Sequence, residues 1–196
     1  MQRFWAGEFL VVFLSAGAFR ACSRPFRQTV AGLNIDAAKI EATKDMGGLV
    51  ASATNLALSV ELYLKALRMP TGLAPNQTHN LDELYAELPR ELRQSVEAAY
   101  ETAAKPAPES VIALHLPIKR KDGPEVRPPE PVGPDHSLPA VLQRSRRLFE
   151  TWRYLYETAA SGKVIQPYEF HYLGVAADVL HLHAAQVAQG ISGRRT

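Results

Sequence analysis

A chain with a single cysteine, Cys22, in 196 residues cannot build a disulfide framework or a multi-cysteine metal centre. One thiol fits a reducing compartment. Charge of neither sign is in excess: 22 lysines and arginines stand against 20 acidic residues, a formal net charge of +2. The overall composition therefore lacks the basic surplus typical of nucleic-acid-binding domains. No apolar run reaches the roughly 20 residues that span a bilayer as a helix. The run Phe9 to Phe19 has eleven. It reads either as a buried first helix, or a start-site artefact, or as the core of a secretory leader ending at the small-x-small Ala16-Gly17-Ala18. Glu8 directly before it, with Arg3 the only positive side chain ahead, weighs against the leader. A second apolar stretch, Leu49 to Leu67, carries Asn55, Glu61 and Lys65, which would be costly in lipid, so it reads as a core helix. No membrane partner and a cytoplasmic location are the expectation. A Gly-rich phosphate loop, a nucleophile elbow and a cysteine–histidine pair are also missing, and no cofactor is expected.

What is present is helical periodicity. At 46% hydrophobic and 21% charged, the chain has material for one domain with a real core and hardly for two. The spacing predicts a first helix over about Arg3 to Thr29, weakened at Pro25, and a break at Ala31 to Asn34. Asp36 is a plausible N-cap for a segment running to Met69, stopped by Pro70, with Gly47-Gly48 able to kink it. Leu49, Ala53, Leu56, Val60, Leu64 and Leu67 recur there at steps of three and four, one apolar stripe widened by Leu58, Leu62 and Tyr63. Asn80 and Glu83 form a capping-box-like start to a short helix reaching Leu88, followed by another over Arg90 to Lys105. Residues 105–139 hold nine of the fourteen prolines and the basic run Lys119-Arg120-Lys121, and read as a long exposed insertion. Val111 to Leu116 within it is either a short strand or an apolar patch. Ser137 and Pro139 open a helix with an apolar face from Leu138 to Ala159, which Gly162 stops; a last helix runs from Tyr168 to Gln189 and ends at Gly190. The expectation is all-α, an up-and-down bundle of five or six helices in a single domain, with one long Pro-rich loop.

Two segments carry a family resemblance. Asn55 to Leu67 contains Glu61-x-x-x-Lys65 and is followed, after a turn, by Thr78-His79-Asn80-Leu81-Asp82-Glu83-Leu84. Phe149-Glu-Thr-Trp152-Arg153-Tyr154-Leu-Tyr156-Glu157 forms the second. Together they resemble the HEPN superfamily, over residues 49–88 and 137–160 and not over the Pro-rich stretch. The resemblance implies a helical bundle, frequently dimeric, associated with RNA, with nucleotidyltransferase partners or with defence systems. Catalytic HEPN proteins are metal-independent ribonucleases that share an arginine followed after four to six residues by histidine. Here none of the six histidines has an arginine at that distance ahead, and Thr158, Ala159 and Ala160 stand where a histidine would follow Arg153. That departure argues against carrying the nuclease activity over.

Each candidate residue has a bland reading beside a functional one. Glu61 and Lys65 are spaced as a surface helix pair; alternatively Glu61 pairs across helices with Arg153 in a partly buried seam. His79 is either a local structural residue or an acid/base group. Arg144, Arg146, Arg147 and Arg153 accompany Trp152, Tyr154 and Tyr156, a combination of phosphate-binding cations and base-stacking rings that would suit RNA. Trp152 and Tyr156 also fit an aromatic core with solvated arginines around it. His171, Asp178, His181 and His183 lack the two histidines four apart of a zinc helix, so no metal is expected. The residues thus point to a protein acting by association, as a homodimer or by binding RNA or a protein partner through Glu61, Lys65, Arg146, Arg147 and Arg153. The alternative is a divergent ribonuclease of a defence or toxin–antitoxin system using Arg153, His79 and Glu157.

Overall fold

A computed structural model describes residues 2–32, 46–72, 77–105, 135–154 and 169–192. Among them are seven α-helices, one 3-10 turn and no strand, so the protein is all-α. The helices are α1 (Gln2–Gly32), α2 (Met46–Arg68), α3 (Leu81–Ala86), α4 (Arg90–Ala103), α5 (Leu138–Arg144), α6 (Leu148–Arg153) and α7 (Phe170–Ser192).

The hub is α2, which packs against α1, α3, α6 and α7. Its sequence explains why. Ala53, Leu56, Ala57, Val60, Tyr63, Leu64, Ala66 and Leu67 are all buried, on more than one face. A helix apolar on several sides needs neighbours on several sides. Two serines on it, Ser52 and Ser59, are buried as well, and Ser59 Oγ satisfies itself by donating to the Leu56 carbonyl one turn back. Lys65 and Arg68 lie in the last turn, where cations complement the helix dipole. The helix then tightens into a 3-10 turn, Met69–Thr71, containing Pro70. Gly72 closes it at φ 76°, a left-handed conformation that only glycine adopts without strain, and donates its N–H to the Met69 carbonyl. Packed against that hub, α7 also meets α1, α4 and α5. Its small buried residues Ala176, Ala177 and Ala184 alternate with Leu173 and Leu180. α4 is amphipathic, with Val96 and Tyr100 buried and Leu92 and Ala99 packed beside them.

Several expected boundaries shift. α1 runs unbroken through Pro25 to Gly32, although proline cannot supply the amide that would bond the Ala21 carbonyl. Gly190 lies inside α7, not at its end; a Cβ there would meet nothing within 4 Å, so no packing forces a stop. The largest difference is the single helix expected from Leu138 to Ala159. Over its described residues, up to Tyr154, it is two short helices joined by Ser145, Arg146 and Arg147. The turn is made of three-residue closures, Arg146 N–H to Gln143 O and Leu148 N–H to Ser145 O. It frees the Arg146 carbonyl to accept the Leu81 N–H at 3.1 Å. One orphan amide of α3 is thereby satisfied by α5–α6, and the two regions are fastened together. Asp36, Val111 to Leu116, the bulk of the Pro-rich stretch, Glu157 and Gly162 lie outside the described residues.

Candidate functional site

The Glu61-x-x-x-Lys65 element and the residues around His79 meet where α2, α3 and α6 converge. Glu61 is a buried acid, its side chain 2% exposed, while Lys65 and His79 are 23% and 43% exposed. One carboxylate oxygen takes both partners: Lys65 Nζ donates to Glu61 Oε1 at 2.7 Å, and His79 Nδ1 lies 3.0 Å from the same oxygen. Among the described residues Glu61 Oε2 has no hydrogen-bond partner. With a carboxylate at Nδ1, that nitrogen carries the proton, and Nε2 is the basic atom of the neutral ring. The expected surface pair Glu61–Lys65 is therefore real but half buried. The cross-helix pairing of Glu61 with Arg153 is not made; His79 takes that place.

Arg153 goes instead to aromatic rings. Its guanidinium carbon sits 5.7 Å from the Phe149 ring centre and 5.4 Å from that of Tyr154. Phe149 in turn lies 6.1 Å from the His79 ring. The order across the surface is thus His79, Phe149, Arg153, Tyr154. Phe149 was not singled out by the sequence as a site residue, although its spacing four before Arg153 on one helix is the signal that places ring and cation together. Trp152 is fully buried and belongs to the core, so it offers no stacking face; Tyr154 is exposed.

The other arginines divide. Arg144 is held by two nitrogens against Glu169, a buried carboxylate, and ties α5 to the start of α7. Arg146 pairs with Asp82 at 3.4 Å and with Glu83. Arg147 is the most open, 3.3 Å from Asn80 Oδ1 and 3.7 Å from Glu150. Of the arginines proposed for binding, Arg146 is occupied by acids of α3, and Arg147 and Arg153 are the more available. Among the described residues Arg153 makes no ion pair.

The start of α3 differs in detail from a capping box. Asn80 stands at the N-cap position but its side chain makes no cap hydrogen bond. Thr78 does the joining: its hydroxyl donates to Glu83 Oε2 at 3.0 Å and accepts from the Asn80 amide at 3.2 Å. Hydrogen bonds from the Asn80 side chain and Thr78, with the Arg146 charge nearby, hold the Glu83 carboxyl below its ordinary range.

His171, Asp178, His181 and His183 go to different partners, and among the described residues no group of acids, histidines or cysteines could hold a metal. His171 Nε2 faces the Lys105 carbonyl, Asp178 binds Arg20, His181 binds Tyr63, and His183 binds Ser95. Among the described residues no helix is long and apolar enough to cross a membrane.

The chemistry open to the α2–α3–α6 surface follows from its parts. A buried carboxylate fixes an imidazole, as in proteins that use histidine as an acid or base. Beside it lie an arginine whose guanidinium carbon is 5.7 and 5.4 Å from two ring centres and a second open arginine. Such a surface can stack a base, neutralise a phosphate and exchange a proton with a hydroxyl. No family model, no curated protein and no solved structure matches the chain.

Proposed function

We propose that this chain is a HEPN-like helical protein that acts by association, binding single-stranded RNA on the His79–Phe149–Arg153–Tyr154 surface. The observation that carries the reading is the placement of Arg153, stacked on Phe149 and Tyr154 without a carboxylate partner among the described residues. A cation already ordered by rings loses little freedom on meeting a phosphate, and the rings beside it take a base. Self-association is the second part of the same proposal. α1 presents Leu10, Val11 and Leu14 to solvent, continued by exposed Ala18 and Ala21 at helical spacing. That stripe supports pairing with a second copy.

Binding is tested by fluorescence anisotropy with a single-stranded oligouridylate in excess chelator. Phe149→Ala should weaken it by about 1–3 kcal/mol, the worth of one stacked base, and Arg153→Ala should weaken it at low salt more than at high salt. An RNA that does not bind the folded parent overturns the RNA reading and leaves a protein partner. Sedimentation of the parent beside Leu14→Glu tests the pairing: a dimer that becomes a monomer supports it, and a monomeric parent removes it.

One observation favours a second reading, the divergent metal-independent ribonuclease. Glu61 holds His79 as a carboxylate holds a catalytic imidazole, and Arg153 lies on the far side of Phe149. His79 Nε2 would take the proton of a 2′-hydroxyl while Arg153 steadies the phosphate. Incubation with mixed RNA in chelator decides between the two. Cleavage by the parent, lost in both His79→Ala and Arg153→Ala, makes the protein a nuclease; intact RNA throughout leaves association.

A further inference from the structure

A second polar cluster lies away from this surface, where α1 crosses α2 and α7. Tyr63 of α2 is buried, and its hydroxyl lies 2.9 Å from His181 Nδ1 of α7. Arg20 of α1 places its Nε 2.8 Å from Asp178 Oδ1, with its charge close enough to act on the Tyr63 phenol. Phe13 of α1 covers the imidazole, ring centres 5.5 Å apart and planes 9° from parallel. Two more aromatic contacts close the group: Phe13 with Tyr63 at 6.3 Å and Phe13 with Phe9 at 6.0 Å. Beside the apolar core contacts of Phe9, Val12 and Ala16, the inward side of α1 thus meets one histidine ring, one phenol and one ion pair.

The proton positions follow. A phenol both donates and accepts, and with the neutral His181 ring protonated on Nε2 the Tyr63 O–H donates to Nδ1. We propose that His181 is an acid-sensitive latch for α1: a proton on Nδ1 removes the acceptor of the Tyr63 O–H, places a second cation beside Arg20 and under the Phe13 ring, and loosens α1 from α2 and α7. Among the described residues the charged and titratable groups facing the ring are few. Arg20 comes from α1, Tyr63 from α2, and Asp178 sits one turn before it on α7, already paired to Arg20. His183 turns the other way to Ser95 of α4, with its Nδ1 on the Val179 carbonyl, and takes no part. At the other end of α7, Arg144 of α5 is spent on Glu169. Burial and the Arg20 charge hold the His181 ring below its ordinary pKa, while Asp178 opposes them more weakly. A proton therefore binds more tightly once α1 has moved away, which is the thermodynamic condition for acid to favour release. Histidine is the side chain whose ordinary titration makes such a latch respond near neutral pH.

The test is hydrogen exchange followed by mass spectrometry on peptides covering residues 9–23, with times corrected for the intrinsic rate at each pH. Between about pH 7.5 and about pH 5, protection of α1 should fall by a factor on the order of ten relative to α4. In His181→Gln, whose amide oxygen still accepts from Tyr63 but does not titrate, that fall should vanish. Protection of α1 that holds at low pH in the parent overturns the latch, and so does an equal fall in the variant. If the variant does not fold, the parent alone decides by NMR. Phe13 ring signals that shift with the His181 titration support the latch, and signals that stay fixed through it overturn it.

Discussion

Removing the two donors on Glu61 should harm this protein more than removing the acid itself. The reason is an asymmetry of burial. Glu61 is 2% exposed, whereas Lys65 and His79 reach water with 23% and 43% of their side chains. In Glu61→Gln the shape is kept, and both donors can turn to solvent. The loss is the difference between a charge-assisted and a neutral hydrogen bond, about 1 kcal/mol. In the double variant Lys65→Met with His79→Phe the carboxylate stays where it is, with neither partner. Its other oxygen is already without one among the described residues. A buried charge stripped of its partner costs about 3–5 kcal/mol, a large share of the 5–15 kcal/mol that holds a typical domain together. The carboxyl can escape part of that cost by folding protonated, so the deficit should shrink on acidification, because protonation is favoured in the folded variant relative to its unfolded chain. Adding Glu61→Leu to the pair should restore most of the loss, since an apolar side chain has nothing to desolvate. Urea unfolding followed by circular dichroism at about pH 7.5 and about pH 5 reads all three variants beside the parent, with the slope checked for constancy. A double variant within about 1 kcal/mol of the parent, or one no less stable than Glu61→Gln, would refute the buried-acid account.

Three further outcomes are expected. Trp152→Ala, which empties the largest fully buried side chain of the core, should cost about 3–5 kcal/mol in the same unfolding assay. Arg144→Met should destabilise by about 2–3 kcal/mol by stranding the buried Glu169, whereas Arg147→Met at the open surface should change stability by less than about 0.5 kcal/mol, both read as shifts in the urea midpoint. At alkaline pH, burial pushes Tyr63 up to about 12, and Tyr85 and Tyr100 are raised further, by burial and by neighbouring carboxylates. Folded pKa values above the unfolded ones mean stability that is full below about pH 10 and lost as pH rises through the Tyr63 value, so absorbance at about 295 nm should show a group of tyrosines ionising only as the protein unfolds.

The sequence by itself determined the helical class and the main core. Apolar steps of three and four in α2 mark buried positions without reference to anything distant, because helix geometry is local. Pro70 and Gly72 end that helix for equally local reasons. Glu61, Lys65 and Arg153 could be named as candidates from residue type and spacing, and 100° per residue put His183 away from the face that His171 and Asp178 can share. What only the tertiary structure decided is who meets whom across helices. The break between α5 and α6 is invisible in the pattern, since Leu138, Val141, Leu142, Leu148 and Trp152 would also align on one continuous helix. It exists because the Arg146 carbonyl serves the first amide of α3. Glu61 could have paired with Arg153 by charge alone; the structure gives His79 that role because α3 starts beside α2, and it hands Arg153 to Phe149 and Tyr154. The Tyr63–His181–Arg20 cluster joins residues more than a hundred positions apart. No local period encodes such a meeting, which depends on how three helices cross.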